Sequence, residues 1–468
     1  MSYLNIITLL IFLISSNSKS IQKPIFIFEL FRHGARSPIT LDEQSKDSYG
    51  FQWSSPEQLT LVGRRMHFIL GYRNNERYIQ NMNFLSKTFN PHEILLISSN
   101  INRTIESAFC HLQGLYPSDY NMDIKLNEKQ INNSNPPINI TKDIEEQINK
   151  LNLIYAPLPG FISTIPFHIY HDLERKINFH KSNECYETVR PIKEKNLELN
   201  EVQNVLKEFN NKYKNSFNNF LKQKGDYSFP NIATMCDQYI SDYIDGRNLT
   251  FFEKYNISVD GFYNFCIDVA QVDFKDYLFG DKEKNVVQLA ISPIFNQMLV
   301  YLKNRVNADI NNVTIDSNLN DFSNPKFFMI SAHDSTIWGL EIFLNEAFKK
   351  SYKYIKPTFA SSIFIEVYKI NENATTYKDY EVHYIMNDII IDKYNLNDFL
   401  NVTQNKIWNQ KRVLDFCKVK ISNTSYTKTI IIIILCIVLL VLIVFIVMLS
   451  IKLSKKQKIN FKLNEEST

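Results

Sequence analysis

The chain has 468 residues, of which 44% are hydrophobic and 22% charged, with a formal net charge of +3. That balance leaves ample length for a buried core and excludes a wholly disordered chain. It also excludes a broad basic footprint, so nucleic acid is not an expected partner.

The chain opens with an apolar run from Ile6 to Ile14, followed by Ser15-Ser16-Asn17-Ser18-Lys19-Ser20. The run is too short to span a bilayer and small residues follow it, so residues 1–20 read as a signal peptide, although no Lys or Arg precedes the run. Ile25-Phe26-Ile27-Phe28-Glu29-Leu30-Phe31 reads as a buried central strand, with Glu29 out of place in it. Pro56-Glu57-Gln58 opens a stretch to Tyr72 that reads as a helix. Ile94–Ile97 and Phe327–Ile330 are two further strand-like runs, each ending in a polar cluster. Between about residues 126 and 285 the chain is rich in Asn and Lys. There, Val202, Val205, Leu206, Phe209, Tyr213, Phe217, Phe220 and Leu221 recur at helical spacing, the mark of one long amphipathic helix. Residues 361–370 and 380–386 read as further strands. The fold class expected is α/β: a mostly parallel sheet flanked by helices (about 21–125 and 286–425), a mainly helical cap (about 126–285) and a C-terminal membrane helix. Ligands of such sheets bind beyond the carboxyl ends of the strands.

Thr429–Ile451 is an uncharged run of Ile, Leu and Val long enough to cross a membrane, followed at once by Lys452, Lys455, Lys456 and Lys458. With the signal peptide, this predicts a single-pass type I protein. Residues 21–425 would form an extracellular or lumenal domain, 429–451 the span and 452–468 a cytoplasmic tail. Cys110, Cys185, Cys236, Cys266 and Cys417 fall on the translocated side, too widely spaced for a paired-cysteine zinc site, so disulfides are expected. Acceptor sites for N-glycans occur at Asn132, Asn139, Asn248, Asn256, Asn312, Asn373, Asn401 and Asn423. Asn102 also matches, but a glycan beside Arg103 would block a site there.

The most informative segment is Arg32-His33-Gly34-Ala35-Arg36-Ser37-Pro38. Phosphoryl transfer to an imidazole needs an accessible neutral nitrogen and positive donors around the phosphate oxygens, which guanidinium forks match in pairs. Gly34 would let the backbone approach a phosphate. The segment Leu30–Pro38 resembles the signature of the histidine acid phosphatases, a branch of the histidine phosphatase superfamily. Leu59–Gly63, Ile97–Thr104, Ser331–Thr336 and Lys356–Ser361 resemble further segments of that family, of the prostatic and lysosomal type. The resemblance implies His33 as nucleophile, Arg32, Arg36, Arg103 and His333 as the clamp on the phosphoryl group, and Asp334 as the proton donor. Pro166-Phe167-His168 resembles a cap element bordering the substrate pocket. The positive charges suffice to stabilise the transferring group, so no metal or cofactor is called for.

Ala35 and Asn102 stand where the family often carries Asp, a change that removes negative charge beside the pocket and would favour anionic substrates. The implied activity is hydrolysis of small phosphate monoesters by an acid phosphatase, with phosphoproteins or lipid phosphates as further substrates. The resemblance also implies a homodimer. Narrower readings, an inositol-polyphosphate or a lysophosphatidate phosphatase, remain open. So does one of another class, a catalytically silent surface receptor on the same scaffold.

Overall fold

A computed structural model describes residues 23–40, 53–117, 126–134, 164–169, 183–221, 225–313, 324–350 and 358–417, with isolated positions elsewhere. The chain divides into two compact units, Met1–Val413 and Leu414–Thr468. The predicted signal peptide and cytoplasmic tail lie outside the described residues, as does the predicted span apart from the exposed Leu439, Leu440, Leu442 and Met448.

The first unit is built on seven strands: β1 (Pro24–Arg32), β2 (Ile94–Ser98), β3 (His168–Ile169), β4 (Phe327–Ala332), β5 (Ser362–Lys369), β6 (Tyr380–Met386) and β7 (Ile389–Asn395). Its main helices are α1 (Leu61–Asn74), α2 (Asn102–Leu115), α3 (Asn183–Asn196), α4 (Asn200–Lys212), α5 (Lys214–Leu221), α6 (Phe229–Ile244), α7 (Val259–Val272), α8 (Asn285–Ile310), α9 (Asp334–Phe348) and α10 (Leu396–Lys406). The strands form one sheet in the order β3-β2-β4-β1-β5-β6-β7.

The expectation of a mostly parallel sheet is corrected: the sheet is mixed. β3, β2, β4 and β1 run parallel, whereas β1–β5, β5–β6 and β6–β7 are antiparallel. For β5, β6 and β7 the reason lies in the connections: they follow one another in the chain, and antiparallel neighbours need only short links whereas parallel ones need long crossovers. Asn387 and Asp388 both take positive φ, 46° and 67°, the geometry of a two-residue hairpin that turns β6 directly into β7.

Alternation of side chains covers both faces of β1. Ile27 and Phe31 join Leu96, Met329, Ala108 and Leu112 in a core beneath α1 and α2. On the other face Phe28 packs on Phe328, which in turn meets Tyr301 of α8. α8 is the one described helix long and apolar enough to cross a membrane, but two thirds of its apolar window, 67%, is buried in this fold. Glu29 points to the α1–α2 side and is fully buried, where it accepts a hydrogen bond from Asn74 at 2.9 Å.

The described residues between α3 and α7 are helical and form their own core, with Phe209, Phe229 and Phe262 at its centre. A disulfide between Cys236 and Cys266 ties α6 to α7. Cys185 and Cys417 are also disulfide-bonded, and Cys110 is free. The single helix expected over 202–221 is two, broken at Tyr213, where φ is −121°. The helix expected from Pro56 starts instead at Leu61, capped by the Thr60 hydroxyl, which accepts from Gly63 N.

The reason for that start is contact with the turn after β1. Thr60 N donates to Ala35 O at 2.9 Å and Ser37 N to Gln58 O at 2.9 Å. A Cβ on Gly34 would lie 2.4 Å from Gly63 O, and one on Gly63 would lie 2.1 Å from Ala35 O. Gly34 is therefore required by helix packing. Gly63→Ala is expected to lower stability by about 1–3 kcal/mol through overpacking. A thermal melt of the full chain in detergent checks this, and an unchanged Tm would contradict it.

Candidate active site

β1 ends at Arg32, and the backbone of the next residue is pinned from several sides. His33 N donates to Ala332 O at 3.0 Å, Arg32 N to Ser361 O at 2.9 Å and Ala360 N to His33 O at 3.1 Å. Ala360 makes its bond from the left-handed region, φ 58°, which a residue with a Cβ rarely adopts. The Arg32 carbonyl accepts from His67 Nε2 at 3.0 Å, so His67 carries its proton on that nitrogen.

The His33 ring is 1% exposed, and its Nδ1 lies 2.9 Å from Gly34 O. A carbonyl can only accept, so Nδ1 holds the proton and Nε2 keeps its lone pair. Burial first, and then the charges of Arg32, Arg103 and Arg36, hold this imidazole well below its ordinary pKa. It is a neutral nitrogen base in a positive surround.

Three arginines converge on it, each held by a carboxylate. Arg32 Nη2 donates to Asp334 Oδ2 at 2.9 Å. Arg36 gives both Nη groups to Asp237, at 2.6 and 3.2 Å. Arg103 Nη1 donates to Glu57 Oε2 at 2.7 Å. Burial lowers the pKa of Arg32 and of Arg103. Burial also pushes Arg36 down, but the pair with Asp237 outweighs it and its pKa is raised. Arg36 Nε and Arg103 Nε are buried with no hydrogen-bond partner among the described residues, donors that an anion could satisfy. The Arg32 guanidinium also lies 4.4 Å over the Phe359 ring, a cation–π contact.

Asp334 is the first residue of α9, with Oδ1 accepting from Ser335 N at 2.8 Å and Oδ2 taken by Arg32. His333, just before it, packs edge-on against His33 with 5.7 Å between ring centres. Its Nε2 is 2.9 Å from Ser99 Oγ. Thr104 Oγ1 gives its proton to backbone carbonyls and so accepts from Ser99, which makes His333 Nε2 the donor in this chain. Arg32, His33, Arg36, Arg103 and Asp334 line one cavity of about 900 Å³, which continues past Met66, Ile240, Tyr263, Phe274 and Trp338. His168 is paired with Ile97 on β3 at the sheet edge and is not among the residues lining that cavity.

Asp237 and Glu57 were not legible as site residues. Asp237 sits on α6, 201 positions from Arg36 in sequence, and Glu57 lies in a loop that reads as a helix start. They place carboxylates against Arg36 and Arg103, where Ala35 and Asn102 supply none; Asp237 lines the cavity, and Glu57 is not among the residues lining it. Asn102 itself is exposed and donates to Gln58 Oε1 at 3.3 Å, so burial does not protect its acceptor site from a glycan.

The sequence description of the histidine phosphatase superfamily (branch 2) matches residues 16–387. The lysosomal acid phosphatase of Xenopus laevis is 31% identical over 147 residues, covering 29% of this chain and 30% of that protein. Lysophosphatidic acid phosphatase type 6 of Homo sapiens is 48% identical over 137 residues, covering 21% of this chain and 32% of that protein. The chain thus spans about a third of the length of these curated relatives. The phytase from Citrobacter braakii shares the fold, with a TM-score of 0.54 at 13% identity, over 84% of this chain and 99% of the phytase.

His67 behind the site yields a test. Burial first, then His111, lowers its pKa to about 3. The unfolded chain binds a proton there below about pH 6.5 and the folded chain does not. Stability from this group is complete above that pH and is lost as pH falls towards 3, by about 1.4 kcal/mol per unit. Denaturant titrations between pH 6.5 and 4.5 are expected to show a shallower decline for His67→Gln than for the native chain. Equal slopes would contradict the buried neutral ring.

Proposed function

The chain belongs to branch 2 of the histidine phosphatase superfamily, and on that premise we propose that it hydrolyses phosphate monoesters through a phosphohistidine formed on His33. The observation that carries this is a neutral, buried imidazole with its lone pair on Nε2 and three guanidinium groups around it. The Nε2 lone pair attacks phosphorus, the ester P–O bond breaks, and its electron pair goes to the leaving oxygen. Asp334 enters this step protonated, its Oδ2 released from Arg32 as that guanidinium turns to the phosphoryl group, and gives the leaving oxygen that proton. Water then attacks the phosphohistidine and passes its proton to the Asp334 carboxylate, while the P–N bond electrons return to Nε2. Arg32, Arg36 and Arg103 hold the phosphoryl oxygens as charge spreads over them, and those charges serve without a metal. His333 Nε2 donates to Ser99, so His333 would donate to the phosphoryl group through Nδ1, as the doubly protonated imidazolium.

The walls of the cavity favour a second, narrower reading. Beyond the arginines they are largely apolar, with Met66, Ile240, Ile244, Tyr263, Ile267 and Phe274 among them. That lining suits an ester with an apolar leaving group, such as a lysophosphatidate, better than an inositol polyphosphate. A span over 429–451 would hold such a domain at a membrane surface, on the lumenal or extracellular side, with residues 126–285 as its helical cap. His168 would take a peripheral place.

His33→Ala is expected to abolish hydrolysis of p-nitrophenyl phosphate, and EDTA to leave the native rate unchanged. Asp334→Asn is expected to slow alkyl phosphates about 10²–10⁴-fold and p-nitrophenyl phosphate far less, because only a poor leaving group needs the proton. Equal losses on both esters would remove Asp334 from the role of acid.

A further inference from the structure

Every clamp arginine has an anionic partner from the chain itself. Three guanidinium charges face the carboxylates of Asp334, Asp237 and Glu57, so these six groups carry no net charge with Asp334 ionised and only one positive charge when Asp334 holds the proton it delivers. Such a site differs from a cationic basin. Once one phosphoryl dianion is bound, its surroundings become negative, and a second phosphate on the same substrate would be repelled.

The two carboxylates outside the catalytic chemistry are firmly placed. Asp237 takes both Nη groups of Arg36 and also the Ile39 N–H, at 2.9 Å, and it lines the cavity itself. Three donors fix its carboxylate. Glu57 is held at a positive φ of 60°, and its N–H donates to Pro38 O at 2.9 Å, which carries its side chain to Arg103. Further along the cavity, Arg190 and Lys193 share the lining with the acidic Glu194 and Asp273, so among the described residues the two cations there do not stand apart from carboxylates. Arg190 in particular lies between Glu187 and Glu194.

We infer that Glu57 and Asp237 are specificity-determining residues that restrict the site to esters bearing a single phosphate and exclude polyphosphates. The inference rests on the phosphatase reading above and deepens it. Asp237 has a second effect: by occupying both Nη groups it leaves Arg36 to meet the phosphoryl group through its remaining donors, Nε among them. Loss of Asp237 therefore lowers activity on all esters, and the diagnostic quantity is a ratio between substrates.

The test compares hexyl phosphate with hexane-1,6-diol bisphosphate, which differ by one phosphate on the same chain length. The full chain in detergent is assayed for kcat/KM on both esters, as native protein and as Asp237→Asn and Glu57→Gln. Glu57 lies on a half-exposed loop, so its variant guards against misfolding of the more enclosed Asp237→Asn. The native chain is expected to prefer hexyl phosphate, and each variant to narrow that preference by about three- to tenfold, the range for removing one partly screened charge. A preference unchanged in both variants overturns the inference, as does a native chain that prefers the bisphosphate. If neither ester nor p-nitrophenyl phosphate is turned over by the native chain, the phosphatase reading falls and this inference falls with it.

Discussion

A guanidinium group removed from water carries a desolvation cost of several kcal/mol unless an anion answers it, and here three are gathered around one imidazole. That constraint organises the site. Each arginine is tethered to a carboxylate brought from elsewhere: Asp334 from the start of α9, Asp237 from α6 and Glu57 from the loop before α1. The same positive surround keeps the buried His33 ring neutral, since a further charge there would be both desolvated and repelled. Clamp and nucleophile are thus two consequences of one arrangement.

The fold supplies that arrangement by placing three polar clusters at the carboxyl ends of the parallel strands β1, β2 and β4. Register aligns them: Arg32 pairs with Ala332, and Ser98 with Ser331. The antiparallel half contributes from the other side, through the turn before β5 that receives the Arg32 N–H and caps the His33 carbonyl. Behind the nucleophile, α1 comes close enough for Gly63 to touch Gly34 and for His67 to hold the Arg32 carbonyl. Deeper still, Glu366 is fully buried on β5 and accepts from Arg77, Tyr78 and Tyr368. A buried carboxylate with several donors in this way stiffens β5, the antiparallel neighbour of the strand that carries His33.

Much of this was legible in the chain. A β-branched and aromatic run ending in Arg-His-Gly-x-Arg marks both a buried strand and its function, and the runs at 94–97 and 327–330 announced the other strand ends. What sequence could not carry was pairing between distant residues. Nothing local in Cys236-Asp237 says that it will meet Arg36, and Glu57 beside Pro56 reads as a helix start because proline suits a first turn equally well. The orientation of the sheet was missed for a comparable reason. Apolar runs report burial without direction, and only the Asn387-Asp388 turn, with both residues at positive φ, signals the antiparallel return. Glu29 looked anomalous in a strand because its partners, Asn74 and His111, come from two separate helices.

The phosphoryl group itself provides the most direct measurement. The full chain, incubated briefly with a phosphate ester carrying a radiolabelled phosphoryl group and then quenched, is expected to hold label that survives base and is released by acid. His33→Ala is expected to hold none. Native protein that turns over the ester without ever carrying label, or label that persists when the imidazole is removed, would contradict transfer to His33.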